Sequence, residues 1–156
     1  MLRLVLMPIV AGFIATTGIT AVLWSIHRTG WTNADMVRAV GSLATKSYQN
    51  ALRVGLGIHF LSGIIITAVY LHVLSIFAVS SLGFEIFIGG TMGLGHGFVV
   101  SWAIIRFAHR HPVDEFQHAD WKVAIAHIIG HVVYGLLIGA IFGFMRLMDF
   151  DVSPGI

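Results

Sequence analysis

HFLSGIIITAVY, residues 59–70, returns as HVVYGLLIGAIF, residues 131–142, at an offset of 72. His59 and His131, Gly63 and Gly135, Ile66 and Ile138, and Ala68 and Ala140 coincide, and most other pairs exchange one apolar side chain for another. Each copy lies inside a continuous apolar run that does not alternate with polar residues, the pattern of a buried helix. Lipid cannot satisfy open backbone groups, whereas a helix satisfies its own.

Working outward, four runs reach the roughly 20 residues that a membrane-crossing helix needs. They cover about residues 4–26, 54–80, 86–105 and 123–145. The whole chain of 156 residues is 57% hydrophobic and 10% charged, with a mean hydropathy of +0.90. That leaves too little polar surface to clothe a water-soluble domain. The expected fold is therefore all-α, a polytopic membrane protein of four transmembrane helices in a single domain over 1–156. The first and third runs also match, more weakly, at an offset of 78: Gly12 with Gly90, Ala15 with Gly93, Trp24 with Trp102. Two tandem helical hairpins follow, with repeat halves at about 1–80 and 81–156 and the same orientation in the membrane. Apolar helices also resemble one another by chance. A shared register of His and Gly favours duplication, because polar residues within spans are rare.

Cysteine is absent, which excludes a disulfide framework, a thiolate metal site and a redox thiol. The first run is longer than a signal-peptide core and has no small-x-small cleavage pattern, so it reads as a retained membrane helix. Arg28, Arg38, Lys46, Arg53, Arg106, Arg110 and Lys122 fall on the side of the two longer loops, while only Arg3 and Arg146 share the side of the termini. Basic short loops mark the cytoplasm, so both termini are expected outside. Trp24, Trp31, Trp102 and Trp121 all fall at the cytoplasmic boundary, where indole rings favour the headgroup layer. Scattered basic residues give no nucleic-acid surface.

Loop one carries Thr32 or Asn33 as a possible cap and Asp35 in a first turn. Met36, Val37, Val40 and Leu43 then recur at helical spacing. It fits either a short amphipathic helix on the cytoplasmic face or a solvated connector with some helical turns. Loop three, RFAHRHPVDEFQHADWK, is broken by Pro112; its His109, His111 and His118 with Asp114, Glu115 and Asp120 read as a mixed-charge surface. The link at 81–85 and the DVSPGI tail read as tight turns or unstructured chain. Gly89, Gly93 and Gly97, like Gly135, Gly139 and Gly143, form i, i+4, i+8 stripes that allow close helix packing. They could serve this bundle, a partner subunit or a flat cofactor.

The patterns AGFIATTGITAVLW, GIHFLSGIIITAVY and AHIIGHVVYGLLIGAIFG resemble a family of small bacterial four-helix integral membrane proteins known only as a domain of unknown function. The likeness covers all four spans and implies a bacterial inner (cytoplasmic) membrane location. It carries no activity, substrate or site residue. The His-rich loop three is not part of that pattern.

Five of nine histidines lie in the spans. At 1.5 Å per residue, His59, His127, His131 and His96 sit ~6–14 Å below the cytoplasmic boundary, and His72 lies near the outer surface. His59 and His131 could hold a b-type haem, with Gly63 and Gly135 making room for the macrocycle. Copper or zinc on His59, His96, His127 and His131 is a second version, and proton relay a third. Against these stands structural hydrogen bonding to Thr16, Thr17, Thr20, Ser62, Thr67 or Thr91, which is the commoner role. No Asp, Glu, Lys or Arg is expected inside a span, and Ser-His-Asp and His-Glu-x-x-His arrangements are absent, so no hydrolase or transferase is indicated. The leading expectation is a small accessory or assembly subunit in the bilayer. It would pack in a larger membrane complex, respiratory or otherwise redox, or in a homo-oligomer. Next comes a haem-, copper- or zinc-binding electron-transfer or metal-handling protein, and last a channel or transporter.

Overall fold

The computed structural model describes residues 2–77 and 81–148, with side chains from residue 5 onward. These form five α-helices and, among the described residues, no strand. Helix α1 spans Leu2–Arg28, α2 Met36–Thr45, α3 Ala51–Phe77, α4 Leu82–Phe107 and α5 Trp121–Leu147, with two 3-10 turns in loop three. Helices α1, α3, α4 and α5 are each long and apolar enough to cross a membrane. Large apolar side chains such as Phe13, Leu61, Phe87, Val99 and Phe144 face outward on them, as lipid-facing surface requires. The last residues of the expected second span, 78–80, and the C-terminal tail lie outside the described residues.

Helices α2, α4 and α5 each start where a small polar residue accepts free N–H groups. Ser81 accepts from the Phe84 N–H, and Asp120 from those of Lys122 and Val123. Loop one does fold as a helix, α2, but Asp35 caps it rather than Thr32 or Asn33, accepting from the Arg38 N–H at 3.1 Å. Asn33 is spent elsewhere: its side-chain amide donates to the Glu115 carbonyl at 2.9 Å. The Asp35 carboxylate also hydrogen-bonds the Arg38 guanidinium and raises its already high pKa. Helix α2 lies backbone to backbone on the start of α3. A Cβ on Gly41 would collide with the Ala51 carbonyl, and one on Gly55 with that of Val37.

The spans pair as two hairpins, α1 with α3 and α4 with α5, and α5 also packs on α1. Equivalent positions meet in both. Gly12 abuts Ile64 and Gly90 abuts Leu136, the partners that the offsets of 78 and 72 bring into correspondence. In the second hairpin the glycine stripes interlock: Gly89 faces Gly135 and Gly139, Gly93 faces the His131 carbonyl, and Gly139 faces that of Glu85. The stripes therefore serve this bundle. Helix α5 is the most enclosed span, and Leu74, Ile138 and Phe142 seal the half of the bundle away from α2. Helices α3 and α4 scarcely touch.

Candidate functional site

Where α3 and α4 part, a chamber of about 160 Å³ opens, roofed by Met36 and Val40 of α2. Its walls carry His59, Ser62 and Gly63 from α3, His96 from α4, and His131 and Tyr134 from α5. Ser62 is exposed, and His59, Ile66, His96 and Val100 are half-buried, so the chamber opens sideways between the two helices.

The glycine stripes set its geometry. With no Cβ on Gly93 and Gly97, α4 settles against the His131 carbonyl and Cβ, and His96 is carried beside His131. The two imidazoles stand edge to face with centroids 4.5 Å apart. His131 Nδ1 lies 2.8 Å from the His127 carbonyl, and His127 Nδ1 lies 2.7 Å from the Val123 carbonyl. A carbonyl only accepts, so each Nδ1 carries the proton and each Nε2 of the neutral ring presents a lone pair. His59 Nε2 pairs with the Thr20 hydroxyl at 3.1 Å, the partner type expected of a structural histidine. His96 Nδ1 reaches the Tyr70 hydroxyl only at 3.4 Å.

Deeper in, Tyr134 donates its one hydroxyl proton to the Gly63 carbonyl at 2.6 Å, so the Thr67 hydroxyl, 2.7 Å away, donates to Tyr134. This short network closes the chamber floor and ties α5 to α3. Below it lie the apolar side chains of Leu74, Ile138 and Phe142.

The sequence-derived histidines are thus divided. His59, His96 and His131 share the chamber, while His127 lines a different cavity at the loop end of the bundle. Among the described residues no three of His, Cys, Asp and Glu are grouped to hold a metal ion, so the four-histidine copper or zinc set is not assembled in this arrangement. At the two glycines expected to make room for a haem, the close approach is made by the bundle itself: Gly63 meets the Thr16 side chain and Gly135 the Gly89 backbone. His72 is exposed, as an interfacial residue would be.

Two features correct the sequence reading. Helix α4 begins at Leu82, so Glu85 belongs to its first turn rather than to a link. It is 1% exposed and accepts from the Arg146 guanidinium of α5 at 2.8 Å, an ion pair inside the hairpin where no charge was expected. The signal was present in the sequence, since Glu85 and Arg146 fall at the same end of adjacent antiparallel spans. His111 is likewise drawn in from the surface. It is half-buried, with Nε2 at 3.0 Å from the Ala39 carbonyl of α2 and Nδ1 accepting from the Val113 N–H at 3.1 Å. Tyr48 stacks on Phe116 with centroids 5.9 Å apart, so loop three is fastened to the α2 region at several points.

No protein-family model, curated protein or solved structure matches the chain. The family resemblance rests on the three short sequence patterns alone.

Proposed function

We propose that the chain is a small integral-membrane subunit, without catalysis of its own, that packs into a larger bacterial inner-membrane assembly such as a respiratory or other redox complex. The observation that carries this reading is the sideways opening between α3 and α4. Polar groups turned toward hydrocarbon are costly unless something covers them, and here the edges of His59 and His96 lie at such an opening, beside Ser62, whose hydroxyl already donates to the His59 carbonyl. A partner span laid along α3 and α4 would cover them and complete the bundle. The basic residues near α2 and loop three support a cytoplasmic placement of that end, with both termini outside.

The test is purification from the native membrane in mild detergent, comparing the wild-type chain with Ser62→Trp and Val100→Trp, which block the opening. A stoichiometric partner polypeptide that both substitutions release, with helix content intact, supports the reading. A wild-type chain that elutes alone and monomeric overturns it, and self-association of two tagged copies would identify the partner as the chain itself.

A second reading, copper or zinc handling, is favoured by one detail. His131 is held by the His127 carbonyl through Nδ1, as the imidazoles of metal sites commonly are. This leaves the Nε2 lone pair, unpartnered among the described residues, for another ligand. Inward turns of His59 and His96 would be needed to complete a ligand set. Elemental analysis of the purified protein, with His131→Ala as control, decides it. Near-stoichiometric metal lost in the variant supports this reading, and a metal-free wild type ends it.

A further inference from the structure

At the loop end of α4, two guanidiniums rest on one aromatic ring. Arg106 Cζ lies 5.8 Å and Arg110 Cζ 5.9 Å from the centroid of Phe107. Both arginines and the ring are exposed, and neither arginine has a carboxylate at ion-pair distance among the described residues. The acids nearby are turned to other groups: Asp35 pairs with Arg38, Asp114 accepts from the Gln117 side chain, and Asp120 caps α5. Glu115 is exposed on loop three and pairs with neither arginine. Arg110 Nε donates to His109 Nε2 at 3.3 Å, which leaves its terminal N–H groups for another partner. Arg28 over Trp24 and Lys122 over Trp121 repeat the arrangement at the loop ends of α1 and α5, each with a single cation. Along α4, Phe98, Trp102 and Ile105 recur at i, i+4 and i+7 as an exposed apolar stripe, and Trp102 meets Phe107 edge to face at 6.2 Å. This stripe lies on the side of α4 away from His96 and Val100, and so apart from the α3–α4 opening.

A cation over an aromatic face is held in place while its N–H groups stay available. The planar guanidinium offers paired donors that match phosphate oxygens. Positive charge without a carboxylate above, and exposed apolar side chains below, are together the complement of a phospholipid. A zwitterionic head would bring its own cation against the two arginines, whereas a head with net negative charge would not. From these features we infer that the loop end of α4 binds an anionic phospholipid, its phosphate held by Arg106 and Arg110 and an acyl chain laid along Trp102 and Phe98. Phe107 is a positioning residue, which keeps both guanidiniums at the level of the headgroups.

The test is native mass spectrometry of the full chain released from nanodiscs of phosphatidylcholine and phosphatidylglycerol in equal parts, counting the lipids retained. The wild type should keep phosphatidylglycerol in preference to phosphatidylcholine. Arg106→Gln and Arg110→Gln should each lower that preference about 5-fold, the worth of one basic side chain at a charged membrane surface. Phe107→Leu keeps the charge but removes the ring, and should lower it about 3-fold. Arg53→Gln, at an exposed basic position on the same end of α3, should leave it unchanged. These positions are exposed, so helix content should stay intact throughout. Equal losses from Arg53→Gln and Arg106→Gln would reveal a diffuse surface field and overturn the inference. So would a double variant Arg106→Gln/Arg110→Gln that retains phosphatidylglycerol as the wild type does. Displacement of the lipid by glycerol 3-phosphate in the buffer would also overturn it, by identifying a phosphate site that does not read the lipid. An undiminished preference in Phe107→Leu would overturn the positioning role of the ring.

Discussion

His96 and His131 stand edge to face with ring centroids 4.5 Å apart, brought together by helices whose backbones touch through glycine. The contact joins sequence to site in one step. The small-residue stripes on α4 and α5 let the helices approach, and the approach places two imidazoles from different spans in one chamber.

The stripes should therefore be intolerant of even one methyl group. A Cβ at Gly139 would meet the Glu85 backbone and one at Gly93 the His131 backbone, neither of which can yield as a flexible side chain would. Gly139→Ala and Gly93→Ala are each expected to cost about 1–3 kcal/mol, read as a lowered unfolding midpoint in detergent. Gly57→Ala, where a Cβ meets nothing, serves as the control. Equal midpoints for all three would contradict the interlocked packing.

The Glu85–Arg146 pair should behave as a buried charge that tolerates joint removal better than the loss of one member. Arg146→Met leaves the 1%-exposed Glu85 carboxylate without its cation and should cost about 3 kcal/mol, the low end for a buried pair because the Arg146 side chain is 27% exposed. The double variant Glu85→Gln/Arg146→Met should recover a substantial part of that loss. A double variant no better than Arg146→Met would show that the pair is not the source of the effect.

Much of this architecture is legible in the sequence. Continuous apolar runs give four spans, and the shared register of His59 with His131 and Gly12 with Gly90 points to hairpins that the structure contains. Less legible are the helix ends. Hydropathy averages over a window and cannot tell that Ser81 caps α4, so Glu85 reads as a link residue when its carboxylate is inside the hairpin. The histidine set also exceeds what depth can resolve. His127 and His131 are i, i+4 neighbours, yet a cavity wall falls between them and sends them to different sites. Gly63 and Gly135 signal close approach correctly, but the pattern cannot say whether a cofactor or a neighbouring helix does the approaching.

Helix α2 should depend on its cap and on the loop that grips it. Asp35→Ala removes the acceptor for the Arg38 N–H and should cost about 1 kcal/mol, with faster amide exchange confined to residues 36–41. His111→Ala releases loop three from the Ala39 carbonyl, and faster exchange should then appear across 108–120 as well as in α2. Exchange rates unchanged in both segments would mean that loop three is not held to α2 through His111.

If a partner in the membrane covers the opening between α3 and α4, it lies against Ser62. A photo-crosslinking benzophenone side chain introduced at this exposed position of the chamber wall, and irradiated in intact native membranes, reports what lies against it. One discrete adduct to a single membrane polypeptide is expected, absent when the crosslinker is moved to Phe144 on the outward face of α5. Adducts to lipid alone at Ser62, indistinguishable from those at Phe144, would contradict it.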